Sequence, residues 1–381
     1  MTITRPSRST AIGRAASGAG ILANIVVGLI TIASAYGGII DPNRTAIPAL
    51  LAMLFPALLV LTLLLTAINC IWWRRRALIG AATLLICAGP ILTYCPLNFF
   101  RPSEASIAER GDRVLKVMTF NVLGFHDISG NLADSTSINP TIRFILDNDP
   151  DIAICQEATP LFGEFFSPLV SADTLAIAAQ YPYRYTSRRG MALLSKYPFE
   201  RVEVPVADEN AYDVCRYDVD VEGIALHIFN VHLQSIGLTG EDKAVYRNMT
   251  HGDAPGGGIG ELRRGIFRKL GAAFRARAEQ AVEIRRALDD TAGNIILAGD
   301  FNDIPGCYAS RVIGGSDLTD AYSHAGLGPA ITYHADRLFF RIDQIFYRGD
   351  IDALRVDALS CPWSDHYPLI AYFLITDNSK Q

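Results

Sequence analysis

Three stretches of the chain carry no charged residue: Gly18 to Ile40, Ile47 to Trp73 and Ala77 to Leu97. Each reaches or exceeds the roughly 20 residues a helix needs to cross about 30 Å of hydrocarbon. The pattern therefore predicts three transmembrane helices, at about 18–40, 47–73 and 77–97. A cleaved export signal has an apolar core of only about 7–15 residues and is not followed by two more spans. Pro48 suits a first helical turn, whereas Pro56 and Pro90 predict kinks, which neighbouring helices tolerate in lipid.

Beyond Arg101 the apolar period changes. Short apolar runs predict strands at Val114–Asn121, Asp151–Gln156, Gly190–Lys196, Val202–Val206, Asn294–Ala298, Arg341–Tyr347, Leu354–Leu359 and Leu369–Ile375. Asp213–Val219 and Gly223–His232 predict a hairpin around Glu222-Gly223. Asn139–Asn148 suits a short helix stopped by Asp149-Pro150, and Gly260–Leu288 reads as a long helix from its Ala, Arg, Glu and Leu content. Short strands with interspersed helices predict an α/β (α+β) arrangement of two packed β-sheets flanked by helices. The division expected is a membrane anchor over 1–98, a linker over 99–111, one globular domain over 112–376 and a tail over 377–381.

Charge sharpens that division. The chain is net −5, yet Arg5, Arg8, Arg14, Arg44 and Arg74–Arg76 face a single acid, Asp41, before residue 100. The first part is thus basic and the remainder strongly acidic. Lys and Arg in short loops mark the cytoplasmic side. Both basic clusters, before the first span and between the second and third, then lie in the cytoplasm, and the domain after residue 98 lies outside it. Half the residues are hydrophobic, which excludes a disordered chain. Cys155 reads as a buried free thiol, and the spacing of Cys215, Cys307 and Cys361 matches no disulfide scaffold. A Cys307–Cys361 bridge carries little weight.

The candidate chemistry sits where apolar strands end. Asn121 closes VMTFN, Glu157 follows DIAICQ, and Asn230 and His232 lie in ALHIFNVHLQ. Asp300, Asn302 and Asp303 follow NIILAG, Asp343 lies inside RIDQIF, and Asp365 and His366 precede YPLIAYF. Strand ends converge on one rim of a sheet, so these groups can share a pocket. Carboxylates with an amide suit a hard cation such as magnesium. Two histidines without clustered cysteines argue against a structural zinc site.

In the order TFNV, CQE, NVHL, GDFND, RID and SDHYP, the chain resembles the endonuclease/exonuclease/phosphatase superfamily, the DNase-like phosphohydrolases, over about residues 112–376. The resemblance implies a four-layer α/β sandwich that cleaves phosphate esters with a divalent metal, magnesium first, with manganese and calcium as alternatives. It implies Glu157 as principal metal ligand, with Asn121 nearby and Asp365 completing the shell. Asp300 would orient or deprotonate the attacking water, and Asn302 would position the phosphate and Asp300. His366 would bind the phosphate and stabilise the transition state, oriented by Asp343, while His232 would face the phosphoryl oxygens or the leaving group. An isolated acid in an apolar strand is costly unless paired, which independently supports the Asp343–His366 pair.

One departure bears on substrate. In the family's abasic-site nucleases the residue two after the first Asn is acidic and assists the metal, whereas here it is Leu123. A local exception to the acidic balance is Ser235–Arg286, with ten bases against six acids. Its plain interpretation is a solvated helix face. The sharper one makes Arg263, Arg264, Arg268 and Lys269 substrate-binding, in a cap meeting lipid headgroups or a phosphorylated substrate. The partners expected are the lipid bilayer and a phosphate-ester substrate, with no obligate protein partner. The activity expected is a membrane-anchored phosphoesterase acting outside the cytoplasm. An extracytoplasmic nuclease and a catalytically silent receptor or scaffold are the alternatives.

Overall fold

In the computed structural model the described residues are 11–109, 114–126, 138–158, 171–202, 204, 213–237, 259–335 and 339–376. All three charge-free stretches are helical, but two are broken. The first gives α1 (Ala11–Ala35); the second splits into α2 (Ile47–Met53) and α3 (Phe55–Trp72); the third into α4 (Arg74–Ile86) and α5 (Ala88–Tyr94). Pro48 occupies the first turn of α2, and Pro56 that of α3, so the second break falls at Leu54, just ahead of Pro56. Pro90 has no N–H to offer the Ile86 carbonyl four residues back. The helix accordingly ends at Ile86, bending by 64°, and the freed carbonyl accepts the Tyr36 hydroxyl at 2.6 Å.

By length and composition Gly18–Ile39 and Phe55–Trp72 can cross a membrane, and the bent pair α4–α5 adds a third crossing if it counts as one span. The helices lock through polar pairs, Thr31 Oγ1 to Thr62 Oγ1 at 2.9 Å and Asn69 Nδ2 to Asn24 Oδ1 at 2.7 Å. Arg5 and Arg8 lie outside the described residues, as does the side chain of Arg14.

The linker expected over 99–111 is described as far as Glu109. It contains α6 (Glu104–Glu109), and Arg101 Nη1 bonds Asp357 Oδ1 at 2.7 Å and the Val356 carbonyl at 2.9 Å. Composition around Arg101–Glu109 is polar, which is equally compatible with a linker and a docked segment.

Twelve strands follow among the described residues: β1 (Val114–Asn121), β2 (Ile152–Gln156), β3 (Tyr183–Thr186), β4 (Ala192–Ser195), β5 (Phe199–Val202), β6 (Asp213–Val221), β7 (Ile224–His232), β8 (Asn294–Asp300), β9 (Thr319–Asp320), β10 (Asp343–Arg348), β11 (Ile351–Ala358) and β12 (Leu369–Ile375). They form two six-stranded sheets, β11-β12-β1-β2-β4-β3 and β5-β6-β7-β8-β10-β9. Both are mixed, β1–β2 and β7–β8 being parallel. The hairpin between β6 and β7 turns on Glu222 and Gly223, both at positive φ, as a tight two-residue turn requires. Of the strand expected over Val202–Val206, Val202 closes the strand Phe199–Val202, while 203, 205 and 206 lie outside the described residues. Glu200 and Arg201 lie exposed on this sheet edge, so its pattern is only partly apolar.

Alternate residues of β8 show how the layers close. Ile296 and Ala298 join a core between the sheets with Val117, Ile154, Tyr217 and Ile345. Ile295 and Leu297 face outward onto α9 (Ile259–Asp289) and α10 (Tyr308–Gly314) through Ile284, Leu288 and Ile313. The first sheet is covered likewise by α7 (Pro140–Asn148) and α8 (Ser171–Gln180) through Ile142, Ile145 and Ile177. Asn139 caps α7 by accepting from Thr141 N at 2.9 Å, and Asp149 ends it in the left-handed region. The short α11 (Ala321–Ala325) lies beside β10 and β11.

Candidate active site

Strand register gathers the polar strand ends. In the second sheet His232 pairs with Asp300 across β7 and β8, and Asp300 pairs with Asp343 across β8 and β10. In the first, Asn121 pairs with Gln156, so Asn121 and Glu157 leave it side by side. Two buried amides join the sheets beneath this rim. Gln156 Nε2 donates to Asn230 Oδ1 at 2.8 Å, and Asn230 Nδ2 donates to the carbonyls of Cys155 and Ala192 at 3.0 and 3.1 Å. Gly299, just before Asp300, sits at positive φ with the Val231 carbonyl 1.8 Å from where a Cβ would lie, so only glycine lets β7 and β8 meet there.

At the rim, Asn121 Nδ2 donates to Glu157 Oε1 at 3.0 Å and to Asp300 Oδ2 at 3.1 Å. His232 Nε2 lies 3.8 Å from both Glu157 Oε1 and Asp300 Oδ2. His366 Nδ1 meets Asp343 Oδ2 at 2.8 Å, and its Nε2 points back to Asp300 Oδ2 at 3.6 Å. Asp300 Oδ1 accepts the Asn302 N–H at 2.7 Å. One carboxylate oxygen is thus held by the backbone while the other faces both histidines. The Asn302 side chain donates from Nδ2 to the Leu233 carbonyl at 2.9 Å, so it steadies the loop that presents Asp300.

Backbone strain concentrates here. Glu157 and Asn302 each have φ of 52°, a region that costs a non-glycine residue free energy unless its surroundings hold it. Around Glu157 they do: its carbonyl accepts Gly124 N at 2.8 Å, and Ala158 N donates to Gly190 O at 2.7 Å.

Burial by itself would lower the His366 pKa, but Asp343, Asp300 and Asp365 outweigh it and hold the ring as an imidazolium, pushed up to about 10. Burial pushes the Asp343 carboxyl up, and the His366 charge pulls it back. The Asp365 carboxyl is also raised, by burial first, with His366 opposing and Glu157 and Asp300 adding to the rise. Four carboxylates around two histidines leave this rim short of positive charge.

That shortage fits a divalent cation. Asp300, Asp343 and His366 offer ligand atoms within 4.8 Å of one another and could hold a metal ion. Glu157 and Asp365 add two further carboxylates, the oxygen donors that a hard cation takes. Asn121 joins them only if its amide turns over to present Oδ1, which at present accepts from Leu123 N at 3.2 Å.

Sequence reasoning missed two supporting residues. Ser364 Oγ donates to the Asn121 carbonyl at 2.7 Å and accepts from His366 N at 3.2 Å, joining the two halves of the rim. Thr332 Oγ1 accepts from Asp343 N at 3.0 Å. The serine was visible in the SDH triplet, whereas nothing around Thr332 signalled it. The basic segment does not behave as one unit. Arg277, only 1% exposed, is buried structure, with Nη2 3.3 Å from Asp303 Oδ2 and Nη1 donating to the Gln234 carbonyl at 2.9 Å. Arg268 is exposed and Lys269 half-buried on α9, while the side chains of Arg263 and Arg264 lie outside the described residues. Cys307 and Cys361 are both buried and free.

Compared with known proteins, residues 118–366 match the Endonuclease/Exonuclease/phosphatase family, and residues 19–94 match a domain of unknown function (DUF8431). No curated protein matches the chain. Among solved structures, an endonuclease/exonuclease/phosphatase from Beutenbergia cavernae is similar at 19% identity and a TM-score of 0.47, covering 69% of this chain and 72% of that one. The mannosyl-6-phosphatase Bt3783 of Bacteroides thetaiotaomicron gives 16% and 0.44, covering 68% of this chain and 100% of that one. D. rerio TDP2 complexed with single strand DNA product gives 17% and 0.45, covering 69% and 98%.

Proposed function

The chain belongs to the endonuclease/exonuclease/phosphatase family, and from that premise we propose that it is a membrane-anchored, divalent-metal-dependent phosphoesterase whose domain lies outside the cytoplasm. One observation carries the proposal: Asp343, His366, Asp300, His232 and Glu157 form a continuous chain of contacts at one rim, each within 3.8 Å of the next. Phosphoryl transfer needs equatorial charge neutralised, an in-line water and a stabilised leaving oxygen.

Each residue answers one of those needs. Asp300 Oδ2 is the acceptor for the proton of water, its other oxygen being fixed by Asn302 N–H. His366 donates from Nε2 to the phosphoryl oxygens, its Nδ1–H anchored on Asp343 so that tautomer and charge are set. His232 reaches the same space from the opposite strand. Glu157 and Asp365, with Asn121 turned over, would hold a divalent cation, magnesium by hardness of the donors, which when bound supplies further charge neutralisation.

The orientation rests on the sequence rule for basic loops together with where the domain meets the helices. Gly20, near the start of the apolar span Gly18–Ile39, lies against Arg76, while Gly38 and Thr93 at the other ends of the apolar stretches touch the domain. Hydrolysis of bis(4-nitrophenyl) phosphate by the purified full chain should require magnesium and stop with chelator. Equal rates with and without chelator would count against the metal-dependent assignment.

A further inference from the structure

The helix ends do not merely tether the domain; they are built against its reactive rim. Arg341, fully buried two residues before Asp343, donates from Nη2 to the Thr93 carbonyl of α5 at 2.6 Å. Gly38, after α1, lies so close to the loop following Asp300 that a Cβ there would sit 2.0 Å from the Gly306 carbonyl. The segments leaving both Asp300 and Asp343 therefore touch the ends of the apolar helices. A rim held in that position stands next to the membrane surface.

What surrounds the rim suits such a surface. Tyr333 lies edge-on to His366, with ring centroids 5.2 Å apart, and pairs with Phe340. Near that bridge in the chain, Ile331 and Phe339 are 39% and 57% exposed. On the other flank, α9 is fixed to the rim at Arg277, so its 259–276 half, about 27 Å at 1.5 Å per residue, continues beyond the strand ends. Gly271 there faces Ala46, of the loop joining the first two apolar stretches, its Cβ position 3.5 Å from the alanine methyl. One turn earlier Phe267 is 57% exposed beside the exposed Arg268. Exposed aromatics beside cations at the level of helix ends match the interfacial zone of a bilayer.

We propose that the site acts on a phosphoester borne by a lipid of the bilayer that anchors the chain, the headgroup reaching the rim between the bridged residues Tyr333 and Phe340 on one side and the first half of α9 on the other. The inference rests on the phosphoesterase and membrane-span readings above. In the step, water oxygen bonds to phosphorus, the ester P–O bond breaks, and the proton water loses ends on the departing alkoxide.

The test reconstitutes the full chain with magnesium in vesicles containing phosphatidylglycerol, phosphatidic acid, a phosphatidylinositol phosphate or sphingomyelin. Their deacylated headgroups, single-stranded DNA and bis(4-nitrophenyl) phosphate are assayed in parallel. At least one vesicle lipid should be cleaved with kcat/KM ten times or more that of its soluble headgroup, the rate falling on dilution with phosphatidylcholine. Phe267→Ser together with Phe339→Ser should lower that rate tenfold and leave bis(4-nitrophenyl) phosphate hydrolysis unchanged. Cleavage of the nitrophenyl ester with no preference for any vesicle lipid, or with DNA preferred, would overturn the lipid substrate and spare the phosphoesterase reading. Loss of all cleavage would remove both.

Discussion

His366 owes its charge to its neighbours. An unperturbed histidine titrates near 6.5, and burial would lower it further, but Asp343, Asp300 and Asp365 raise this one to about 10. Because the folded value lies above the unfolded one, the stability His366 contributes is complete below about pH 6.5 and is lost as pH rises through about 10. Asp343→Asn removes the foremost of those partners. We expect the basic limb of its pH profile for kcat/KM to move toward neutrality, and a limb that stays where the wild type has it would show that Asp343 does not set the charge. The pairing was legible in sequence, because an acid in an apolar strand must find a partner. Asn302 too was expected to position Asp300; what the sequence could not show is that the bond comes from its backbone N–H, which any residue type supplies.

At the scale of elements, strands and their order of polar ends were legible because a buried strand and its rim differ sharply in polarity. The long helix was legible too, but its cations were not. Arg268 and Arg277 look alike in a list of bases, yet one is exposed and the other is sealed against Asp303. Burial pushes the Asp303 carboxyl up, with Arg277 pulling it back down. Breaking a buried pair leaves an uncompensated charge, which typically costs about 3–5 kcal/mol. Arg277→Ala should therefore lower stability by about that amount in denaturant titration, whereas Arg268→Ala should stay within about 0.5 kcal/mol. Similar small effects for both would mean that Arg277 is not the buried anchor of α9.

At the scale of the whole molecule, composition revealed an apolar part and a globular part but not how they meet. The meeting depends on glycine at 38, a position that carries no sequence signal of its own. Gly38→Ala pushes a methyl into the Gly306 carbonyl, whereas nothing lies within 4 Å of a Cβ at Gly89. Overpacking of this kind costs about 1–3 kcal/mol. Thermal unfolding of the full chain in detergent should show Gly38→Ala less stable than wild type and Gly89→Ala no less stable. If the two behave alike, the helices do not dock on the domain as described. The central proposal is that the rim around Asp300 is the reaction centre, and it is tested most directly by Asp300→Ala in the purified, folded full chain, assayed on bis(4-nitrophenyl) phosphate with magnesium. Loss of a positioned acid–base group should cut turnover at least about 100-fold with the unfolding temperature little changed; near-normal turnover would contradict the assignment of this rim as the active site.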